Sequence, residues 1–193
     1  MTTKTDKILK TSRAAAPENV QTKKLALLGF GNAGKAFAKL LMEKHEQIKE
    51  KYGYNVVVTA IATGTRGNLA VPTSAEAIDL AVAIKDIETL GKFSARLPLT
   101  DLTTMQIAAQ ADYDVLVEMT PLNIFTGEPA ITHIETAFAR GRDVITANKG
   151  PIAWKFAKDV DSILRRRSWT VLRFSILWRK RCRWLKLQRS LGF

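Results

Sequence analysis

A glycine-rich segment between an apolar run and an amphipathic run constrains the fold of this chain more than any other feature. Residues 29–34 read Gly-Phe-Gly-Asn-Ala-Gly, which is the spacing G-x-G-x-x-G. They follow the run Lys-Leu-Ala-Leu-Leu at 24–28, which is typical of a central parallel strand buried on both faces. After Gly34, apolar residues recur at helical spacing among Lys and Glu residues. The sequence therefore predicts a strand, a tight turn and a helix of about 15 to 18 residues that ends at Gly53.

The same alternation continues along the chain. A β-branched strand is predicted over 55–62 and a helix over 75–90, in a connecting segment. Two strands with a helix between them follow, over 114–118, 130–139 and 143–146. Strands that alternate with helices favour an α/β fold, here a Rossmann-type, doubly wound parallel sheet in one domain over residues 23–158.

The glycine motif gains its meaning from its place between strand and helix. Gly29 permits the tight turn, Gly31 lets a pyrophosphate approach the backbone, and Gly34 allows close packing of the helix on the strand. Free N–H groups at the start of a helix bind phosphates. The predicted dinucleotide contacts are therefore Gly29, Phe30, Gly31, Asn32, Ala33 and Gly34. The alternative is a glycine-rich turn without a ligand.

The end of the second predicted strand bears on cofactor choice. An Asp or Glu at this point commonly binds the ribose 2′-hydroxyl of NAD, but residues 61–67 contain no acid. They offer Thr63, Thr65 and Arg66, and a guanidinium could pair with the 2′-phosphate of NADP. The prediction is NADP, with NAD possible. A solvated loop arginine is the alternative interpretation of Arg66.

Two further polar loops follow the strands at 114–118 and 143–146. They read Glu-Met-Thr-Pro-Leu-Asn at 118–123 and Thr-Ala-Asn-Lys-Gly-Pro at 146–151. In an open parallel sheet, ligands bind outside the carboxyl ends of the strands, so these loops and the glycine loop should converge on one crevice. Lys149 would then face nicotinamide and substrate, where it could hold a carboxylate or hydroxyl, or transfer a proton. A solvated lysine at a helix start is the alternative.

Three segments together resemble the cofactor domain of homoserine dehydrogenase. They are GFGNAGKAF, EMTPLN and TGEPAITHIETAFARGRDVITANKGPIAW, in the family's order and spacing, within a resemblance that covers residues 24 to about 158. The resemblance implies reduction of aspartate 4-semialdehyde to homoserine with NADH or NADPH, in threonine and methionine biosynthesis. It implies that Lys149 is the catalytic residue, that Thr120, Pro121 and Asn148 lie near the nicotinamide, and that Glu118 supports their loop.

Members of that family continue with a substrate domain that carries an acidic site and a second essential lysine, and they form homodimers. None of those substrate-domain positions exists in this chain. The resemblance therefore implies a Rossmann domain with its substrate domain missing. We expect such a chain to bind cofactor with little or no turnover.

The positive charge of the chain is concentrated at its end. The net charge is +12, and residues 161–193 hold ten of the 30 Lys and Arg residues but only one acidic residue. Residues 159–193, with three of the four tryptophans, are interpreted as an aberrant tail. Read from Ser175 in a shifted frame, permitted codons give YFVEKTVSMAETPTV, which resembles the family's continuation. A frameshift between about residues 159 and 174 is the favoured hypothesis; a tail that contacts nucleic acid or an anionic membrane is the alternative.

The remaining features indicate a cytoplasmic protein. Residues 1–22 are polar and are expected to be a disordered leader, a weak organellar transit peptide being the alternative. No apolar run approaches the ~20 residues that span a bilayer. Cys182 is the only cysteine, so neither an internal disulfide nor a Cys-based zinc site can form within one chain, and no metal site is predicted.

Overall fold

A computed structural model describes residues 19–73 and 75–154 of the chain. The predicted tail at 159–193 and the first 18 residues of the predicted leader lie outside this part. Six strands and five helices follow one another in the order β1 (Gln21–Leu28), α1 (Asn32–Tyr52), β2 (Tyr54–Ala62), β3 (Asn68–Ala70), α2 (Leu80–Thr89), β4 (Leu99–Thr100), α3 (Thr104–Gln110), β5 (Val115–Glu118), α4 (Ala130–Ala139), β6 (Asp143–Thr146) and α5 (Gly150–Trp154).

The strands form one sheet in the order β4-β3-β2-β1-β5-β6. Strands β2, β1, β5 and β6 are parallel neighbours, so the predicted parallel sheet with the first strand at its centre is confirmed. Strands β3 and β4 were not predicted, and both pair antiparallel beside β2. They contain three and two residues, which is too few for an alternating pattern to be recognised in the sequence.

The central strand β1 contributes to an apolar core on each face of the sheet. Leu25 and Leu27 pack into the core beneath α1 and α2, whereas Ala26 and Leu28 pack into the core beneath α3 and α4. Because both faces are covered at Leu25–Leu28, these four successive residues of the strand are all apolar rather than alternating. The uninterrupted run that marked it in the sequence is a direct result of this burial.

Several element boundaries differ from those predicted. Helix α1 has 21 residues and begins at Asn32, so the last three residues of the glycine motif form its first turn. Helix α2 begins at Leu80 rather than at 75, because the Asp79 carboxylate accepts hydrogen bonds from the N–H groups of Ala81 and Val82 and caps it there. Strand β1 begins at Gln21, which places the last two residues of the predicted leader in the sheet.

Helix α3 was missed because it is only seven residues long. Its start is fixed by a capping box in which the Thr103 hydroxyl and the Gln106 side chain each accept a hydrogen bond from the other residue's backbone N–H.

Within the ranges 19–73 and 75–154, no helix is both long and apolar enough to cross a membrane. No cluster of three or more His, Cys, Asp or Glu residues in these ranges could hold a metal ion.

His133 on α4 is a buried polar residue without a visible partner. Its side chain is 1% exposed, and neither ring nitrogen has a hydrogen-bond partner among the described residues. Burial lowers the pKa of His133 below its ordinary value of 6.5, and the nearby Glu128 carboxylate opposes this only in part. The imidazole is therefore held in its neutral form inside the fold.

We expect the stability of the domain to fall in mild acid because of His133. The folded state binds a proton at His133 less readily than the unfolded chain, so the free energy of unfolding falls as the pH decreases below about 6.5. Replacing the imidazole by an apolar side chain, in His133→Leu, should reduce this fall and be neutral or stabilising at pH 7.5. Urea denaturation of both proteins between pH 5.5 and 7.5 measures it; equal pH dependence in the two would contradict the assignment.

Candidate functional site

The turn between β1 and α1 is built on close backbone contacts. Gly29 has a φ of +99°, and its N–H donates to the carbonyl of Ala62 at the end of β2, at 2.9 Å. A Cβ added to Gly29 would lie 2.5 Å from the carbonyl oxygen of Met119, and one added to Gly34 would lie 2.3 Å from the oxygen of Gly29. Only glycine at both positions allows the helix to start directly on the turn, and the turn to rest on the segment after β5.

The first residues of α1 are open to a ligand. A Cβ added to Gly31 would meet no atom within 4 Å, and Asn32 and Ala33 are exposed. No side chain caps the helix at Gly31, and its first turn contains no acidic residue. The positive end of the helix dipole and free N–H groups therefore face open space, which is the arrangement that binds phosphate groups.

Phe30 differs from its neighbours in the motif. Its side chain is 2% exposed and packs against Phe93, with ring centroids 5.8 Å apart. Although Phe30 was predicted to contact the dinucleotide, its ring belongs to the core beneath α1 and α2. Any contact of this residue with a ligand would come from its backbone.

The loop after β2 is held in shape by its own hydrogen bonds. The Thr63 hydroxyl donates to the carbonyl of Gly67 at 2.7 Å and accepts from the N–H of Arg66 at 2.9 Å. The N–H of Thr63 donates to the Asn68 side chain at 2.7 Å. Thr63 thus closes the loop, although it was predicted to contact the cofactor. Thr65 and Arg66 are exposed on the loop, and their side chains make no hydrogen bond or ion pair with other described residues.

A buried carboxylate joins the loops that follow β5 and β6. Glu118 is 0% exposed, and its Oε1 accepts hydrogen bonds from the N–H of Thr120, at 3.0 Å, and from the Thr120 hydroxyl. Its Oε2 accepts from the Thr146 hydroxyl at 3.1 Å. Burial raises the pKa of Glu118 above its usual range, and the hydrogen bonds from Thr120 and Thr146 oppose this shift.

The side-chain amide of Asn148 completes the junction between the two loops. Its Nδ2 donates to the carbonyl of Thr120 at 3.2 Å, and its Oδ1 accepts from the N–H of Gly150 at 3.0 Å. A Cβ added to Gly150 would lie 2.8 Å from the Cα of Gly127, so these two backbones also touch. The segment 146–150 is therefore fixed against the segment that follows β5.

Lys149 lies at the centre of the second loop and is exposed. None of the ion pairs between residues of the described ranges involves its ammonium group. Asn148, directly before it, is buried, and α5 begins directly after it. The backbone on either side of Lys149 is thus anchored, while the ammonium group is free to meet a ligand.

The structure brings most of the predicted site residues to one edge of the sheet. The glycine turn contacts the 118–123 loop through Gly29 and Met119, and that loop contacts the 146–150 loop through Thr120 and Asn148. The loop that carries Arg66 follows β2, which lies beside β1 on the side opposite β5. Pro121 is exposed beside them. The resemblance implied that Glu118 supports its own loop. Its link to Thr146 in the second loop was not predicted, because sequence patterns do not show the hydrogen-bond partners of a buried side chain.

Curated proteins with similar sequences include two homoserine dehydrogenases, whereas no protein-family model matches the chain. A homoserine dehydrogenase from Methanocaldococcus jannaschii is 35% identical over 132 residues, which are 67% of this chain and 37% of the relative. An NAD(+)-dependent homoserine dehydrogenase from Pseudomonas canavaninivorans is 31% identical over 132 residues, 67% of this chain and 36% of the relative. The chain therefore spans a little over a third of the length of these relatives.

Solved structures show the same fold. A protein from Archaeoglobus fulgidus assigned as a homoserine dehydrogenase gives a TM-score of 0.59 at 28% identity, over 75% of this chain and 40% of that one. A hyperthermophilic archaeal homoserine dehydrogenase in complex with NADPH gives a TM-score of 0.58 at 20% identity, over 75% of this chain and 40% of that one. The described domain thus has the fold of one part of these enzymes.

Substituting two glycines of the motif separately should test the contacts described for the turn. Gly34→Ala forces a Cβ against the carbonyl of Gly29, and such overpacking should lower the free energy of unfolding by about 1–3 kcal/mol. Gly31→Ala places its Cβ in open space and should cost less than about 1 kcal/mol. Urea denaturation followed by circular dichroism measures both. Equal stability losses in the two variants would contradict the geometry.

Proposed function

We propose that this chain, which is homologous to homoserine dehydrogenases over 67% of its length, binds a nicotinamide dinucleotide at the edge formed by its three loops. The observation that carries the proposal is the open, uncapped start of α1 behind Gly31. A pyrophosphate there would accept hydrogen bonds from N–H groups at the positive end of a 21-residue helix. The solved relative in complex with NADPH shares this fold, which supports the same assignment here.

The loop after β2 favours NADP over NAD. No acidic residue stands at the end of β2 to bind a ribose 2′-hydroxyl, and the hydroxyl of Thr63 is already engaged within the loop. The exposed guanidinium of Arg66 can pair with a 2′-phosphate through charge-assisted hydrogen bonds. Thr65, exposed beside it, can add a hydroxyl. Because the Pseudomonas relative is named as NAD(+)-dependent, the choice is proposed for this chain alone.

The reaction that fits this site is reduction of an aldehyde to an alcohol, as in the conversion of aspartate 4-semialdehyde to homoserine. A bound reduced nicotinamide supplies the hydride that reaches the carbonyl carbon. The carbonyl oxygen would take up one proton, and we assign to Lys149, the exposed cation of the 146–150 loop, the role of holding that oxygen or donating the proton. Thr120 and Asn148 shape the surface on which the nicotinamide would rest.

The described loops offer few groups that could bind an amino-acid substrate. Aspartate 4-semialdehyde carries an ammonium group, which needs a free carboxylate or several acceptors. The segments 118–123 and 146–150 contain a single carboxylate, Glu118, and it is buried and already hydrogen-bonded. We therefore propose that the 193-residue polypeptide binds cofactor but has little or no turnover.

Cofactor titration tests the proposed binding site. The purified 193-residue polypeptide should enhance NADPH fluorescence in a saturable way, and Arg66→Ala should weaken NADPH binding about tenfold by removing a charge-assisted pair. NADH affinity should change less than about twofold, since NADH has no 2′-phosphate for Arg66 to contact. Lys51→Ala is the matched control, because this substitution also removes one positive charge, but at the far end of α1.

Two results would count against the proposal. A polypeptide that binds neither NADPH nor NADH does not have the proposed site. If Arg66→Ala and Lys51→Ala weaken NADPH binding equally, Arg66 contributes only general charge and the NADP preference is wrong.

Absorbance at 340 nm tests the proposed lack of turnover. With NADPH and aspartate 4-semialdehyde, we expect the 193-residue polypeptide to oxidise cofactor at least about 100-fold more slowly than a full-length homoserine dehydrogenase, because its substrate is not positioned. Lys149→Ala should not lower this residual rate further. A rate within tenfold of the full-length enzyme that Lys149→Ala abolishes would show that the described loops suffice for catalysis.

A further inference from the structure

Glu118 occupies the point at which the 118–123 and 146–150 loops of the proposed site meet. We infer that Glu118 is a positioning residue, which locks the 118–123 and 146–150 loops together and so fixes Thr120, Asn148 and Lys149 for the nicotinamide half of the cofactor. This inference rests on the proposed cofactor function. Under this inference, the glycine turn would hold the pyrophosphate, and the loops that Glu118 joins would hold the nicotinamide.

The two carboxylate oxygens of Glu118 are divided between the loops. Oε1 accepts both hydrogen bonds from Thr120, whereas Oε2 accepts the hydroxyl of Thr146 at 3.1 Å. One side chain therefore holds Thr120, the second residue after β5, and Thr146, the last residue of β6. The Glu118 carbonyl also accepts the N–H of Ala147 at 3.0 Å, which extends the pairing of the two strands by one step.

A ring of side-chain hydrogen bonds carries this link to Lys149. Thr146 accepts the N–H of Asn148 at 3.0 Å, and Asn148 returns to the first loop through its bond to the carbonyl of Thr120 at 3.2 Å. The ring runs from Glu118 through Thr146, Asn148 and Thr120 back to Glu118. Because Asn148 directly precedes Lys149, the direction in which the Lys149 side chain leaves the backbone depends on this ring.

A structural role alone does not account for a carboxylate at this position. The preceding strand residues Leu116 and Val117 are buried apolar side chains, and Glu118 is 0% exposed like Leu116. Burial of an ionisable group costs free energy, and a well-packed apolar side chain at the same place is often neutral or stabilising. What a carboxylate adds is two acceptors pointing in different directions, which can hold two loops in one arrangement.

The side chain is also placed badly for direct catalysis. A group that is fully buried and engaged with three donors does not touch a ligand in the crevice. The glycine turn depends on different contacts, since Gly29 packs on the Met119 backbone rather than on the Glu118 side chain. Loss of Glu118 should therefore disturb the nicotinamide side of the site and spare the pyrophosphate side.

Two ligands that differ only in the nicotinamide separate these effects. Isothermal titration would compare NADPH with 2′-phospho-ADP-ribose, which retains the pyrophosphate and the 2′-phosphate. For Glu118→Ala we expect NADPH to bind at least about tenfold more weakly and the analogue to change less than about twofold. Glu118→Gln, which keeps the shape but only one of the two acceptor oxygens, should weaken NADPH binding less than Glu118→Ala does. Glu50→Gln on the exposed surface of α1 is the matched control.

Thr146→Val provides a second variant that keeps the carboxylate. It removes the hydroxyl that joins Oε2 to the Asn148 N–H, and it should reproduce the selective loss of NADPH affinity even if Glu118→Ala does not fold. If Thr146→Val or Glu118→Ala lowers the affinity for both ligands equally, the network has only a general structural role and the inference is wrong. Unchanged NADPH affinity in these variants would also overturn it. If the unaltered protein binds neither ligand, the proposed function itself is wrong, and the inference falls with it.

Discussion

The site depends on how closely backbone can approach backbone at the carboxyl ends of β1 and β5. Gly29 lies so near the peptide of Met119, and Gly34 so near the carbonyl of Gly29, that no side chain fits between them. This contact sets where α1 starts, because the helix begins on the turn rather than beyond it. It also brings the start of the helix beside the 118–123 loop. The N–H groups proposed to bind phosphate and the groups proposed to face the nicotinamide therefore share one edge of the sheet.

Hydrogen bonds of polar side chains then hold the 118–123 loop, on which the glycine turn packs, against the 146–150 loop. Glu118 is costly to bury, and its raised pKa reflects that cost. The hydrogen bonds that it accepts from Thr120 and Thr146 nevertheless tie together two loops, which the side chain of Asn148 and the pairing of β5 with β6 also connect. Near this junction three large apolar side chains are exposed: Leu122 is 46% exposed, Phe125 is 78% exposed and Trp154 is 51% exposed. The proposed site thus combines a hydrogen-bonded polar centre with exposed apolar side chains near it, and Lys149 is exposed on the loop that the polar centre holds in place.

The sequence predicts those parts of this architecture that repeat a period or carry a motif. The buried strand β1, the long helix α1 and the pair α4 and β6 were located from apolar spacing and glycine stops. Strands β3 and β4 and helix α3 were not, because elements of two to seven residues show too little of a period. At the site, the three loops were identified, but the engaged hydroxyl of Thr63, the buried ring of Phe30 and the double link through Glu118 depend on contacts between residues distant in sequence or on local loop closure.

The central claim is that a dinucleotide binds with its pyrophosphate at the start of α1 and its nicotinamide beside the Thr120 and Asn148 loops. Titration of the ¹⁵N-labelled polypeptide with NADPH, followed by amide chemical shifts, tests both ends of that claim in one experiment. The account predicts saturable shifts at the amides of residues 31–34 together with those of Thr120 and Asn148. Shifts confined to other surfaces, or none at residues 31–34 when NADPH is in large excess, would contradict it.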